Sequence, residues 1–493
     1  MQPKLLIVGL DGATFDVIDA HKSELPVLRK CMEDGVRGIL ESTKPPVTSP
    51  AWPCFMTGKN QGKIGVFDFL KLDRENGEIG VTTSRDIKSD TLWDIAGRNG
   101  KRVCVFEIPV TFPPSNVNGV MVSGYPSPDL EKSFYPPETL QLLRDEIGDF
   151  KDTFPATYKE GKEMEVYEKY RNVLKNRRDA ILTLLDRDFD LMVLDINHTD
   201  IISHMFWHTF DSSHPRHARA VKRGIGNLVL EAYKDVDRVL GQMLSAVGDD
   251  VNVIIMSDHG QGKLSKMVNL NNLLMERGYL KFKGDVKTRL RRFLFMHGMN
   301  PEFAYSIIKK IGLQDFTEKF GREKRNRVLD KFLSFSDIDW SETKAYSFGY
   351  AGQIYITGDG SDYEKVREDL IADLRALKDE RGRELVDEIL CREDIYSGKY
   401  TENAPDLVLK MRNYEYISYP LLSSGSRFIV DPIMGYSGGH RLEGIFVAFG
   451  PDIKKGSEIA GAKITDIAPT ALHLMGLPVP GDMDGRVLDE IIN

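Results

Sequence analysis

Residues 251–260 read VNVIIMSDHG, an apolar run that ends in Asp258 and His259 and is followed by a glycine. A continuous apolar run without alternation is typical of a strand in a parallel sheet that helices cover on both faces. Polar groups directly after such a strand lie at the carboxyl edge of the sheet, where open α/β folds bind their ligands. This stretch therefore predicts both an architecture and the position of a site.

Further apolar runs of strand length recur along the chain, and helical patterns lie between them. The runs are Leu5–Leu10, Val103–Phe106, Leu191–Leu194, Leu407–Leu409 and Ile445–Phe449, and the helical patterns include 89–99, 164–186 and 221–247. Alternating strands and helices favour an α/β fold, with a doubly wound, mostly parallel sheet and helices on both faces.

Asp and His residues also follow two other predicted strands, at the same edge of the sheet. LLIVGLDG (5–12) ends in Asp11, and LMVLDINHTDIISH (191–204) runs off its strand to Asp200 and His204. Each signal alone fits a turn, a helix cap or a simple hydrogen-bonded pair. Together they predict one converging site, where Asp oxygens and His nitrogens suit divalent metal ions.

Composition limits the classes of function. The chain has 493 residues, of which 41% are hydrophobic and 28% charged, and its net charge of −8 disfavours specific nucleic acid binding. Its four cysteines lie far apart without a C-x-x-C pair, as is typical of a reducing compartment. The first apolar run is too short for a signal peptide, and no later run approaches a membrane span. We expect a cytoplasmic protein.

Two regions interrupt the alternation within a single domain spanning 1–493. Residues 127–188 are polar and mostly helical, which predicts a helical cap insertion. Residues 281–340 form a basic helical insertion, with 14 Lys/Arg against 6 Asp/Glu between Lys281 and Lys331. Within it, 287–312 contains KTRLRRFLFM and IIKKIG, a pattern suited to contact with an anionic membrane or a lipid-linked substrate. A solvated cap helix with its apolar side on the core is the alternative, and the residues alone favour it.

The segment KPPVTSPAWPCFMTGKNQGKIGVFDF (44–69) places hydroxyls at a predicted helix start. Pro50 suits a first helical position, with Ser49 or Thr48 as the N-cap. A hydroxyl there faces free amide N–H groups and the positive end of the helix dipole, which attract phosphate. A plain Ser/Thr cap is the alternative interpretation.

Six motifs follow one another along the chain. They are the N-terminal strand with Asp11, the T-x-P segment at Thr48, the D-x-x-x-H of Asp200 and His204, the SDHG at 257–260, the GGH at 438–440, and TDIAPTALHLMGLPVPGDMDG at 465–485. In this ordered set the chain resembles a type I phosphodiesterase/nucleotide pyrophosphatase of the alkaline phosphatase superfamily. The resemblance implies an alkaline-phosphatase-like fold and two-metal hydrolysis of a small-molecule phosphate ester, with a phosphodiester favoured.

The resemblance also implies a role for each site residue. One metal would be held by Asp200, His204 and His440, the other by Asp11, Asp258 and His259, with Thr48 bridging them as the nucleophile. Zinc fits this ligand mixture best, and manganese is its main competitor. Ser49 competes with Thr48, but the position before x-Pro favours Thr48, which would form a phosphothreonine intermediate.

One departure from the family pattern concerns the substrate. Ala51 stands where the family carries an Asn that holds a phosphate oxygen. Stabilisation of that oxygen would then come from backbone N–H groups at the helix start, or from Lys44, Lys63 or Arg441.

Other functions compete on the same core. A phosphoglycerate-mutase-like isomerase or a phosphoryl transferase is the first alternative, although a mutase predicts a Ser nucleophile followed by a large inserted domain. A sulfatase would need a C/S-x-P-x-R context, which TSPAWP lacks. A non-catalytic binding protein is disfavoured because it would keep a costly charged site without using it.

Overall fold

The computed structural model describes residues 4–151, 153–297, 333–420, 422 and 427–493. The strands of these residues are β1 (Leu5–Gly9), β2 (Val36–Glu41), β3 (Leu70–Asp73), β4 (Glu78–Val81), β5 (Val103–Phe106), β6 (Gly119–Val122), β7 (Phe134–Tyr135), β8 (Leu191–Asp195), β9 (Asn252–Met256), β10 (Gly260–Lys263), β11 (Lys266–Val268), β12 (Ala345–Ser347), β13 (Gln353–Ile356), β14 (Val386–Cys391), β15 (Leu407–Met411), β16 (Tyr416–Ser418), β17 (Ile429–Val430), β18 (Gly438–Arg441), β19 (Glu443–Phe449) and β20 (Ser457–Lys463).

The α-helices of the described residues alternate with these strands. They are α1 (Phe15–Ala20), α2 (Pro26–Asp34), α3 (Thr48–Thr57), α4 (Gln61–Ile64), α5 (Leu92–Arg98), α6 (Glu138–Ile147), α7 (Glu163–Leu185), α8 (His198–Phe210), α9 (His217–Lys222), α10 (Leu228–Val247), α11 (Leu270–Glu276), α12 (Val286–Met296), α13 (Gly360–Arg375), α14 (Arg392–Ile395) and α15 (Ile467–Leu474). None of them is both long and apolar enough to cross a membrane.

The main sheet has nine strands in the order β20-β2-β19-β9-β1-β8-β5-β6-β7. Its centre, from β9 to β6, is parallel, as predicted for the apolar runs in β9, β1, β8 and β5. β6 was not among the predicted strands. β19 runs antiparallel to both of its neighbours, β2 and β9. An apolar run signals burial on both faces but carries no information about direction, so the sequence could not show this reversal.

Helices cover both faces of the main sheet, and the side chains of β1 show how. Leu6 and Val8 point into one hydrophobic core, which they share with residues of α7, α8 and α10. Leu5 and Ile7 point into a second core, shared with residues of α3, α5 and α15. The period of two along a strand therefore divides β1 between two helical layers, and the doubly wound α/β fold is confirmed.

The structure describes parts of both predicted insertions. In 127–188, α7 packs against α10, and the Tyr167 hydroxyl donates a 2.7 Å hydrogen bond to Asp235. In 281–340, the structure describes α12 and an antiparallel bridge between Phe282 and Ile338. The stretch 307–312 lies outside the described residues. The division of 1–493 into one catalytic domain with these two insertions stays a prediction.

A second sheet, which the sequence did not reveal, is built from β11 to β17 and has its own core. Six of its strands follow the order β12-β13-β15-β16-β11-β17, and β14 pairs with β15. The run Leu407–Leu409, predicted as a strand, lies here in β15 rather than in the main sheet. Asp406, just before β15, accepts hydrogen bonds from Tyr363 and from the backbone of Ile356, as befits a structural residue.

Asp68 is a buried carboxyl beside this sheet, on the wall of a cavity of about 540 Å³. Burial raises its pKa from 3.8 to about 6, although backbone N–H groups, including that of Leu70, oppose the rise. Among the described residues, Asp68 Oδ2 and Gln353 Oε1 have no hydrogen-bond partner. A Cβ at Gly349 would clash with both oxygens, so both lie against this glycine.

Replacing Asp68 by Asn should stabilise the protein at neutral pH. The raised pKa means that ionisation of Asp68 opposes folding: its favourable share of stability is complete below about pH 4 and is lost as the pH rises through about 6. We expect Asp68→Asn to raise the free energy of unfolding at pH 7.5 by about 2–3 kcal/mol and to change it little at pH 4. Urea denaturation at both pH values measures this. Equal destabilisation at both would show that the variant disrupts packing instead.

Candidate active site

Three central strands of the main sheet end level with one another. Gly9 at the end of β1 pairs in register with Asp195 of β8 and with Met256 of β9. The turns that follow β1 and β9 carry Asp11 and Asp258-His259, and α8, which follows β8, carries Asp200 and His204. The convergence predicted from the strand ends is therefore present in the structure.

Gly12 is required at this edge by the close approach of α8. Its φ of +65° lies in the left-handed region, and a Cβ there would lie 2.8 Å from Asp200 Oδ1 and 3.1 Å from Asp200 Cα. The glycine after Asp11 thus lets β1 and α8 bring two carboxylates to one site.

Asp11, Asp258 and His259 form a fully buried group. His259 Nε2 lies 3.3 Å from Asp258 Oδ2 and 3.6 Å from Asp11 Oδ1. One potential ligand atom from each residue lies within 4.8 Å of the other two. Within the described part of the chain, Asp11 Oδ1 and Asp258 Oδ2 have no hydrogen-bond partner. Two buried, unpaired carboxylate oxygens beside an imidazole nitrogen fit a cation.

Asp200, His204 and His440 form a second group with the same 4.8 Å spacing. Asp200 Oδ1 lies 3.2 Å from His204 Nε2 and 3.6 Å from His440 Nε2, and the two imidazole nitrogens are 2.9 Å apart. His440 reaches the site on β18, which pairs with β10 directly after His259. The rings of His259 and His440 stack at 3.6 Å, so the two groups adjoin.

Backbone carbonyls orient all three imidazoles. The Nδ1 atoms of His204, His259 and His440 lie 2.9, 3.1 and 2.8 Å from the carbonyl oxygens of Gly438, Gly260 and Pro46. A carbonyl oxygen only accepts, so each Nδ1 carries a proton, and a ring without a second proton presents its Nε2 lone pair to the site. This is the tautomer that binds metal through Nε2, and two lone pairs 2.9 Å apart favour a shared cation.

The electrostatics of the two groups differ. Burial raises the pKa of Asp11 well above its ordinary value, and the carboxylates of Asp258, Asp200 and Asp195 raise it further. Burial also raises the pKa of Asp258. At Asp200 burial is outweighed by the imidazoles of His204, His440 and His259, which hold its pKa below its usual range. The Asp11 group thus concentrates buried negative charge that a divalent cation would neutralise.

The pKa values of the two imidazoles of the second group are shifted in opposite directions. Burial lowers the pKa of His204, but the Asp200 carboxylate more than offsets it, so the pKa is raised overall. At His440, burial and the neighbouring rings of His259 and His204 lower the pKa well below its ordinary value. A neutral His440 is ready to donate its Nε2 lone pair at neutral pH.

Thr48 meets this centre at the first residue of α3. Its Oγ1 lies 3.0 Å from His259 Nε2, and the residue is 8% exposed. Ser49 is fully buried, and its Oγ has no partner among the described residues. The hydroxyl that faces the predicted metal ligands is therefore that of Thr48.

The predicted cap of α3 was wrong. The helix begins at Thr48, its N-cap is Val47 without a side-chain hydrogen bond, and Pro50 is its third residue rather than its first. Thr48 does not cap because its hydroxyl is turned toward His259.

Three further side chains contact the site residues, and the sequence analysis missed them. Gln261 donates from Nε2 to Asp200 Oδ1, Trp52 Nε1 lies 3.4 Å from Asp11 Oδ2, and the Tyr436 ring stacks on His204 at 5.3 Å. Spacing could have indicated two of them. Gln261 follows His259 at the strand period of two, and Trp52 follows Thr48 at the helical spacing of four.

The three cations considered for a phosphate oxygen are engaged elsewhere. Lys44 pairs with Glu41 at 3.1 Å and Lys63 with Asp484 at 2.6 Å. Arg441 donates to backbone carbonyls, including that of Lys263 at 2.6 Å. Ala51 is fully buried and offers no polar group.

Solved structures share this architecture. Murine ectonucleotide pyrophosphatase/phosphodiesterase 5, in an inactive form in complex with AMP, superposes with a TM-score of 0.58 at 14% identity, with 100% of each chain covered. The human ectonucleotide pyrophosphatase/phosphodiesterase 5 gives a TM-score of 0.57 at 13% identity, over 99% of this chain and 100% of that one. At such identities the likeness shows the alkaline-phosphatase-like fold.

Sequence comparison points to the same group of proteins. No curated protein matches the chain. The model of the family described as type I phosphodiesterase / nucleotide pyrophosphatase matches residues 5–420, which contain all of the predicted site residues except His440. This chain belongs to the type I phosphodiesterase/nucleotide pyrophosphatase family.

Proposed function

We propose that this protein is a two-metal hydrolase of phosphate esters, with a phosphodiester as its preferred substrate and Thr48 as its nucleophile. One observation carries the proposal: the Thr48 hydroxyl lies 3.0 Å from a ligand atom of one potential metal group, and that group adjoins a second. Membership of a family of phosphodiesterases and pyrophosphatases supports the same reaction class.

We propose that one divalent ion is held by Asp200, His204 and His440 and the other by Asp11, Asp258 and His259. The mixture of carboxylate oxygens and imidazole nitrogens favours zinc, with manganese as the competitor. Bound there, two cations would lower the pKa of the Thr48 hydroxyl and offset charge on the transferred phosphoryl group. The unpaired oxygens of Asp11 and Asp258 support this assignment because they need a positive partner.

The protein's own groups carry the substrate through two displacements. The Thr48 hydroxyl loses its proton and its oxygen attacks phosphorus; the bond from phosphorus to the leaving group breaks, the leaving group departs as an alcohol after taking up a proton, and a phosphothreonine ester remains. A water molecule then loses a proton and attacks phosphorus, the bond to Thr48 breaks, Thr48 takes up a proton to restore its hydroxyl, and the phosphate monoester leaves. The fixed position of Thr48 at the start of α3 orients the attack, and backbone N–H groups of that first turn are the remaining donors for a phosphate oxygen.

We infer a small-molecule substrate. The murine neighbour is in complex with AMP, which supports a substrate of nucleotide size without fixing its identity here. The Tyr436 ring, stacked on His204, gives the site an aromatic wall against which a leaving group can pack.

Hydrolysis of chromogenic esters tests the proposal. The purified protein is stripped with a chelator, reconstituted with zinc or manganese, and assayed with bis-p-nitrophenyl phosphate and p-nitrophenyl phosphate. We expect activity to disappear with the metal and to return on reconstitution, with the diester cleaved faster. No metal-dependent release from either ester would rule out the hydrolase, and a monoester preference would reverse the substrate assignment.

A further inference from the structure

Helix α12 exposes an apolar stripe. Val286, Leu290, Phe293 and Met296 are 84%, 58%, 57% and 50% exposed. An α-helix turns by about 100° per residue, so Val286, Leu290 and Phe293 share one face, within about 60° of one another. The described part of the chain shows no comparable row of exposed large apolar side chains on any other helix.

The opposite face of α12 anchors the helix to the protein. Thr288 Oγ1 and Arg291 Nη1 donate to Asp337 Oδ1 at 3.2 and 2.7 Å, and Phe295 is only 2% exposed. Asp285 caps the first turn by accepting from the backbone N–H of Thr288. Because these contacts fix the rotation of the helix, the apolar stripe is directed away from the described part of the protein.

The stripe is framed by positive charge. Between Lys281 and Met296 the chain carries six Lys/Arg and one acidic residue. Arg291 is used by the inward contact to Asp337, whereas Lys287 and Arg289 are exposed and flank Leu290 on either side. Apolar side chains between cations on one outward face are the pattern of a helix that lies in the headgroup region of an anionic bilayer.

We propose that α12 is a docking surface for an anionic lipid membrane. Leu290 and Phe293 enter the boundary between headgroups and acyl chains, and Lys287 and Arg289 contact the lipid phosphates on both sides. A second copy of this chain fits less well, since its cations would face those of the first. A nucleic acid would use the cations but would leave the apolar side chains in water. The proposal stands independently of the proposed function, because it uses none of the site residues.

Vesicle binding tests this surface. The full chain is sedimented with vesicles of phosphatidylglycerol and phosphatidylcholine in equal parts, and with vesicles of phosphatidylcholine alone. We expect binding to the anionic vesicles only, and we expect added salt to weaken it.

The double variant Leu290→Gln/Phe293→Gln should bind these vesicles at least about tenfold more weakly, since two apolar anchors are lost. Val221→Gln on α9 is the matched control, because Val221 is 60% exposed and far from this cationic helix in sequence; it should bind as the unchanged protein does.

Any of the following four results would overturn the proposal. Failure of the unchanged protein to bind anionic vesicles does so directly. Equal binding by the double variant would mean that charge alone acts, as for a polyanion. Conversion of a dimer into a monomer by the double variant, measured by light scattering, would assign the stripe to a second copy. A lower melting temperature of the double variant would show that the chain itself covers the stripe. Cleavage of soluble bis-p-nitrophenyl phosphate should stay unchanged, so loss of the proposed function and loss of membrane binding are distinguishable.

Discussion

Thr48→Ala is expected to lower the rate of phosphodiester cleavage by about 10⁴-fold or more, the scale on which loss of a nucleophile acts. The Thr48 hydroxyl is the one directed at His259 Nε2, at 3.0 Å. Alanine removes the oxygen proposed to attack phosphorus but leaves all six proposed Asp and His ligands in place. The variant should therefore keep its metals, so single-turnover kinetics together with metal analysis by mass spectrometry measure both halves of the expectation.

Two neighbouring substitutions serve as controls for Thr48→Ala. Thr48→Ser keeps a hydroxyl at the start of α3 and should retain part of the activity. Ser49→Ala should be nearly neutral for catalysis, because the Ser49 side chain is fully buried and its hydroxyl has no hydrogen-bond partner among the described residues. If Ser49→Ala were inactive and Thr48→Ala active, the nucleophile would be Ser49; if both were active, no side-chain hydroxyl of this turn would attack phosphorus.

Asp258→Asn should have opposite effects on the stability of the metal-free and the metal-loaded protein. Without metal, burial raises the pKa of both Asp11 and Asp258, so ionised carboxylates there oppose folding. The neutral amide of Asn removes one of these unfavourable charges, so the variant should have a higher melting temperature in the presence of a chelator. With excess metal the unchanged protein gains about 3 kcal/mol per site at a hundredfold excess over the dissociation constant, and the variant loses that gain at one site.

The same substitution should remove one of two bound metal ions and most of the activity. Loss of a group that merely orients a ligand reaches about 100-fold, so loss of a ligand should exceed it. Asp195→Asn is the matched control: Asp195 is buried, its charge raises the pKa of Asp11, and it belongs to neither ligand group. It should stabilise the metal-free protein yet keep both ions. Full metal content and activity in Asp258→Asn would remove this residue from the ligand set.

Much of the candidate site was predictable because strand ends are visible in sequence. Asp11, Asp258 and His259 follow apolar runs directly, and the helical spacing of Asp200 and His204 puts both on one face of α8. His440 could be placed only through the family resemblance, since it arrives on β18, far along the chain, by pairing with β10. The spacing of Gln261 after His259 could have indicated that this side chain reaches the site, but its hydrogen bond to Asp200 depends on this pairing.

The fold was predictable where burial of a strand determines its sequence pattern. It was less predictable where the structure depends on which strands pair. The continuous apolar runs of β1, β8 and β9 identified the parallel centre of the main sheet. Strand pairing determines that β19 runs antiparallel and that β15 lies in the second sheet. The apolar runs of these two strands look alike in sequence, so pairing could not be read from them. The start of α3 was misplaced because Thr48 serves the site rather than the helix cap.

Anomalous scattering from crystals of the zinc-reconstituted protein tests the two-metal centre most directly. Data collected on both sides of the zinc absorption edge locate each ion without reference to activity. Two peaks are expected at the carboxyl edge of the main sheet, one among Asp200, His204 and His440 and the other among Asp11, Asp258 and His259, next to Thr48. A single peak, or peaks outside these two groups of side chains, would contradict the two-metal assignment.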